Sequence, residues 1–344
     1  MTDRGPELLR VRQLTKEFRR SGSRGTLVAV RDVSLDLWPG ETLAVVGETG
    51  SGKTTLGRMI LGLTTPTSGS IHFAGRDITA LPWKQRRSLC TDIQVIFQDP
   101  YSSLDPRKHV EDIIREPLDI HKIGTRSQRR GRVHELMDLV ALAPGYRQMF
   151  PHELSGGLRQ RVGIAAALAS GPQLIVADEP VSALDVSVQA QILELLADIQ
   201  RETSVALLFI SHDLGVVHQV SDRVAVMCQG EFVEVGPLEA VYTRPQHPYT
   251  RALLSAIPPA DPSQPYSPIV LPTDTSRASE PPGGCRFRNR CWLAEEICAA
   301  REPALTERAA GISARCHVTA RLADRAAAGD PRSADQVPDG PRVT

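Results

Sequence analysis

The sequence predicts an α/β protein with a parallel-sheet core, an antiparallel β subdomain, an inserted helical subdomain and a small cysteine-rich C-terminal extension. Three observations carry this reading. Short, continuously apolar, β-branched runs recur along the chain, namely TLAVVG (42–47), IQVIF (93–97), LIVAD (174–178), VALLFI (205–210) and RVAVM (223–227). Strands of a parallel sheet covered on both faces have this composition. Over residues 8–38 two runs, LLRVRQLTKEF and VAVRDVSLDLW, instead alternate apolar and polar side chains across the turn cluster SGSRGT, as antiparallel strands do. Four of the six cysteines fall between positions 285 and 316.

The elements follow in order. Glycines close the TLAVVG strand, and a helix from about Lys53 succeeds it. Residues 105–170 lack strand signals and are expected to form the helical subdomain. In VSVQAQILELLADIQ, Ile192, Leu195, Leu196 and Ile199 recur at i, i+3, i+4, i+7, one face of an amphipathic helix. After Ile257 the composition turns to Pro, Ser and Asp, marking a linker. The expected domains are therefore 1–256, an extension over 257–318, and a disordered tail over 319–344 with little to bury.

Composition excludes some classes of function. Forty Lys and Arg balance forty Asp and Glu over 344 residues, so no global charge points to a nucleic-acid partner. Thirty-five of the bases are Arg and five Lys, a bias read as genomic composition. MTDRGPELLR has no apolar stretch fit for a signal peptide, and the strongest apolar run, VGIAAALA (162–169), stops at SGP. A cytoplasmic chain is expected, with any membrane role exerted through a partner.

GETGSGKTT (47–55) fits G-x-x-x-x-G-K-[ST] and has the context that motif requires, a buried strand before it and a helix after it. Gly47, Gly50 and Gly52 let the backbone wrap closely, so that N–H groups of Glu48, Thr49, Ser51 and their neighbours can point at phosphate oxygens. The helix N-terminus at Lys53, Thr54 and Thr55 adds partial positive charge. Lys53 would bring a full charge to the β- and γ-phosphates, and the Thr54 hydroxyl would ligate Mg²⁺. LIVADEP (174–180) completes such a site, with Asp178 facing the metal and Glu179 placed to polarise water.

LSGGLRQR (154–161) resembles the signature of ATP-binding-cassette (ABC) ATPases, and further motifs of that family follow in its order. The resemblance covers residues 8 to about 256. It implies that Phe18 stacks on adenine, that Gln98 is the Q-loop glutamine touching Mg²⁺, that SALD (182–185) is the D-loop carrying Asp185, and that His212 is the switch histidine. It also implies a head-to-tail pair of cassettes, in which Ser155, Gly156 and Gly157 meet the ATP held by the partner. One departure is Leu158, where the family usually has glutamine; a modest weakening at the partner's ATP is expected.

FQDPYSSLDPR (97–107), FPHELSGG (150–157), ADEPVSALDVSVQAQIL (177–193) and HPYTRALLSAIP (247–258) resemble ATPase subunits of oligopeptide, dipeptide and nickel importers, more closely the second of their usual ATPase pair. The resemblance implies a second ATPase subunit, two membrane permease subunits, an extracytoplasmic substrate-binding protein, and a peripheral place on the cytoplasmic face of the membrane. Residues 101–107 are the expected contact with the permease. A nickel or other small-solute importer is the alternative. Soluble ABC ATPases of translation or repair are disfavoured, since the chain has one cassette and only fifty-six residues separate Gln98 from Ser155. A hydrolysis-dead cassette is disfavoured by Glu179 and His212.

The cysteines are spaced Cys285-x5-Cys291-x6-Cys298-x17-Cys316, without the close pairs with which structural zinc sites usually begin. In a reducing cytosol such a group points to metal before disulfide. Some importer ATPases of this resemblance carry a segment GCRF…RC…C…C that resembles a [4Fe–4S] site, which places a cluster first, zinc second, reduced thiols without metal third and disulfides last. Cys90 and Cys228 receive no role.

Overall fold

The computed structural model describes residues 5–19, 26–259, 263, 266–272, 283–308 and 311–319. Thr319, the first residue of the expected tail, is buried; the rest of that tail lies outside the described residues. In chain order the strands are β1 (Leu9–Arg19), β2 (Thr26–Leu37), β3 (Thr42–Val46), β4 (Ser68–Phe73), β5 (Arg76–Asp77), β6 (Ile93–Ile96), β7 (Leu174–Asp178), β8 (Ala206–Ser211), β9 (Arg223–Cys228), β10 (Glu231–Pro237), β11 (Thr306–Glu307) and β12 (Ser313–Ala314). The longer helices are α1 (Lys53–Ile60), α2 (Val110–Ile120), α3 (Arg126–Leu139), α4 (Gly156–Leu168), α5 (Val186–Thr203) and α6 (Pro248–Ser255).

Two compact units result: Met1–Ala44 with Thr54–Ser211 and Gln219–Ser221, and Val45–Lys53 with His212–His218 and Asp222–Thr344. Both sides of the sequence boundary at residue 256 fall in the second.

In the first unit, the alternating N-terminal runs form an antiparallel sheet of order β2-β1-β4-β5. Leu9 pairs with Leu37 on one side and Phe73 on the other, so Leu9, Val11 and Leu14 share a buried face with Val33, Leu35, Leu37 and Ile71. A one-residue slip would turn that whole set to solvent, which fixes the register. Strands β6, β7 and β8 pair in parallel, with Val176 opposite Val95 and Leu208, and β3 lies beside β8. Ile192, Leu195, Leu196 and Ile199 of α5 are buried, as their spacing predicts.

The helical stretch contains α2, α3 and α4, with 3₁₀ turns at Pro144–Gln148 and Pro151–Glu153. Thr125 and Gln128 start α3 with a reciprocal capping box, which satisfies two backbone N–H groups. Pro117 sits inside α2, a helix that also buries Val110, Ile113, Ile114 and Leu118. A cleft of about 310 Å³ lies along Phe97, Leu104, Ile113, Ile120, His121 and Ala166.

In the second unit RVAVM forms β9, whose pairing with β10 is antiparallel. The two strands meet at Gln229 and Gly230, both at positive φ, the turn that matches strand twist in a two-residue hairpin. β12 pairs with β10, and β11 with β12. Tyr249 and Phe287 are almost wholly buried with ring centroids 5.4 Å apart, and His247 stands at the same distance on another side of Phe287. These rings join the HPYTRALLSAIP segment to the cysteine-rich one.

Glu234 is fully buried on β10 and accepts from the N–H groups of Gln246 (2.7 Å) and His247 (2.8 Å). Burial outweighs these donors and pushes its carboxyl up from 4.5 to about 7. The folded state therefore holds a proton that the unfolded chain releases. The stability this contributes is complete below about pH 4.5 and lost as pH rises through 7. Glu234→Gln cannot titrate, so its urea midpoint is expected to fall less than that of the wild type between pH 5 and pH 8.

Candidate nucleotide-binding site

In the second unit the glycine-rich loop leaves β3 at Gly47, where a Cβ would collide with the carbonyl oxygen of Met227. Gly50 (φ 79°) and Gly52 (φ 110°) adopt conformations that other residues reach only with strain. The loop is tied by Ser51 N–H to the Glu48 carbonyl (3.1 Å) and by Gly230 N–H to the Ser51 carbonyl (2.8 Å). Lys53 is buried, and its ammonium donates to the carbonyls of Gly47 (2.7 Å) and Glu48 (3.0 Å). Thr49 and Gly50 are exposed at the tip. His212 is exposed just past the end of β8.

Two side chains that the motifs do not mention also grip this loop. The Tyr249 hydroxyl accepts from the Glu48 N–H (2.9 Å), and the Arg290 guanidinium holds the Glu48 carboxylate through two bonds of 2.8 and 2.7 Å.

In the first unit, the Thr54 hydroxyl donates to Asp178 Oδ1 (3.0 Å) at the end of β7. Hard oxygen donors this close suit Mg²⁺. Gln98 Nε2 donates to Glu179 Oε2 (2.9 Å), so the structure pairs the two residues that the motifs single out separately. Glu179 is at φ 49°, and its N–H donates to the Ile210 carbonyl (2.9 Å). Thr55, half-buried, continues α1 beyond Thr54. Phe18 is 41% exposed on β1, with the Lys16 ammonium 5.0 Å above its ring.

Ser155 caps α4 through the Leu158 N–H (3.4 Å) and lies exposed with Gly156. A Cβ on Gly156 would press lightly on the end of the Leu184 side chain, and one on Gly157 would collide with Val188, so Gly157 has no room for a side chain unless Val188 shifts. Asp185 caps α5, accepting from Val188 N–H (3.0 Å) and the Ser187 hydroxyl (2.7 Å). Those bonds, the hydroxyl's first, hold its carboxyl below the usual range. The signature and the D-loop are thus packed on one another.

In the second unit Cys285, Cys291, Cys298 and Cys316 gather on one apolar cluster with Trp292, Leu293 and Val318. All four are free thiols. Burial, with a further push from neighbouring thiols, raises Cys285 to about 11 and Cys291 to about 12. Among the described residues no three His, Cys, Asp or Glu side chains are spaced to hold a metal ion.

The ABC transporter family matches residues 30–182, and the oligopeptide/dipeptide transporter C-terminal region matches 233–298. The Bacillus subtilis oligopeptide transport ATP-binding protein AppF is 45% identical over 319 residues, covering 90% of this chain and 97% of its own. The chain belongs to the ABC transporter ATPases. Within that family it carries the C-terminal region of the oligopeptide/dipeptide branch. A Brucella abortus protein named for peptide import ATP binding is 47% identical over 300 residues, 87% of this chain and 94% of that one. Among solved structures, the dimeric ATP-binding cassette MJ0796 bound to ADP and Pi aligns with a TM-score of 0.61 at 28% identity, covering 67% of this chain and 98% of that chain. CbiO1 of Clostridium perfringens, part of the CbiONQ transporter complex, aligns at 0.62 and 26%, covering 69% and 91%.

Proposed function

We propose that this cassette binds and hydrolyses ATP to drive peptide import, working in a dimer of ATPase subunits on two membrane permease subunits supplied by an extracytoplasmic substrate-binding protein. The observation that carries the reading is the oligopeptide/dipeptide C-terminal region following an ABC cassette in one chain. The names of the relatives favour peptide over nickel.

In this reading Glu179 takes a proton from the attacking water, and Gln98, already bonded to it, orients the carboxylate and senses the permease. Lys53 and the loop N–H groups hold the phosphates, and His212 stands near the γ-phosphate. Thr54, Asp178 and Gln98 would hold Mg²⁺, which supplies charge neutralisation on the phosphates. Exposed Ser155, Gly156 and Asp185 offer the face that a second ATPase subunit, expected to be a different chain, would meet. The cleft beside Phe97 and Leu104, with exposed Tyr101, is the surface offered to a permease helix. Among the described residues no helix is long and apolar enough to cross a membrane, so the subunit's place at the cytoplasmic face would come through the permeases.

For the four thiols, the reading is a [4Fe–4S] cluster in preference to zinc. Its support is the gathering of all four on one apolar cluster, four thiols being the number that a [4Fe–4S] cluster takes. Such a group would cross-link loops that bury little apolar area.

One anaerobic purification tests both levels. The complex is expected to contain two permease subunits, to raise its ATPase rate when binding protein and peptide are added, and to hold about four irons with matching sulfide per cassette. Travel with ribosomes or DNA would sink the importer reading. Zinc, or no metal, would sink the cluster while leaving the importer standing.

A further inference from the structure

We infer that Arg290, from the cysteine-rich segment, is a positioning residue for ATP binding, acting on the phosphate loop through Glu48. The proposal rests on the reading of residues 47–55 as the nucleotide loop.

Glu48 is held at three points. Its N–H goes to Tyr249, its carboxylate to both terminal nitrogens of Arg290, and its carbonyl accepts from Lys53, the loop's own cation. Arg290 therefore stands one residue removed from the ammonium that is to meet the phosphates. Its own footing is firm. The side chain is 11% exposed, Nε donates to the Pro272 carbonyl (3.0 Å), and the guanidinium lies 5.9 Å from the Phe287 ring. Phe287 in turn packs on Tyr249, so both groups that grip Glu48 rest on one buried ring.

Two physical effects follow from the fork. The first is geometric, since paired parallel bonds fix the carboxylate's plane and with it the turn at residue 48. The second is electrostatic. A carboxylate inside a phosphate-binding loop repels a triphosphate, and Arg290 cancels that charge. A family fingerprint leaves residue 48 unspecified, whereas here a partner 242 positions away supplies the compensating cation.

The test is ATP affinity and steady-state kinetics of the full chain carrying Arg290→Ala, Arg290→Lys, Glu48→Gln, or Arg290→Ala with Glu48→Gln, with Lys53→Ala as reference. Arg290→Ala is expected to raise the Kd and KM for ATP about 10-fold, with kcat falling less than about threefold. Lys restores charge without the fork and should recover part of the loss. Adding Glu48→Gln to Arg290→Ala removes the stranded carboxylate and should bring affinity back to within about threefold of Glu48→Gln alone. Should Arg290→Ala fold poorly, Glu48→Gln and Arg290→Lys still report on the pair. Normal affinity in Arg290→Ala, or no recovery in the double variant, would overturn the proposal. Unaltered ATP binding by Lys53→Ala would overturn the nucleotide-loop reading itself.

Discussion

Glu179→Gln is expected to slow ATP turnover by about 10²–10⁴-fold, the range for loss of a general base, while ATP is still bound. The substitution keeps the side chain's size and removes its ability to accept a proton. The backbone at this position is set independently of the carboxylate, by φ 49° and the N–H bond to Ile210, so the loop has no cause to move. Gln98 keeps an oxygen to donate to once the new amide turns. Bound but uncleaved nucleotide should then hold two cassettes together. A phosphate-release assay and size-exclusion chromatography in ATP and Mg²⁺ check both parts. Turnover at the wild-type rate would remove Glu179 from the mechanism.

Gly47→Ala is expected to have the largest effect on the second unit. The added methyl meets the backbone carbonyl of Met227 and crowds Ser51 Oγ, and the carbonyl cannot swing aside as a flexible side chain could. Overpacking against a fixed group costs about 1–3 kcal/mol and occasionally more. On that scale the melting temperature falls by roughly 5–10 °C, and ATP affinity is lost with the shape of the loop. Calorimetry and equilibrium ATP binding would show it. A variant that melted and bound as wild type would mean that β9 yields far more easily than its buried apolar residues suggest.

Much of the site was legible because its parts are local. A buried strand running into glycines, LIVAD ending in two acids, and a serine opening a glycine-rich helix each announce themselves within a few residues. The pairing of Gln98 with Glu179 was not readable, since it joins the end of β6 to the end of β7 across 81 positions. The apolar run RVAVM announced burial but not its antiparallel partner β10, because such a run records burial on both faces and not strand direction. The hairpin signal was there in Gln229–Gly230, a weaker turn pair than Asn–Gly. The β12–β10 pairing left less trace still, as two residues of strand in a segment otherwise read as linker and cysteines. Arg290 carried no motif. Its role lies in a contact with residue 48, and nothing in an Arg between two cysteines announces which carboxylate it will find.

The ion pair between Glu48 and Arg290 also has a bearing on how the protein is made. A ribosome adds about 5–20 residues per second, so the 242 positions between them amount to roughly 12–50 s of synthesis. In the last part of that interval, once Met227 and Gly230 are made, the nucleotide loop can form without its clamp. By this account a nascent cassette holds ATP weakly until its cysteine-rich segment has been translated, and the order of synthesis itself withholds ATP from unfinished chains.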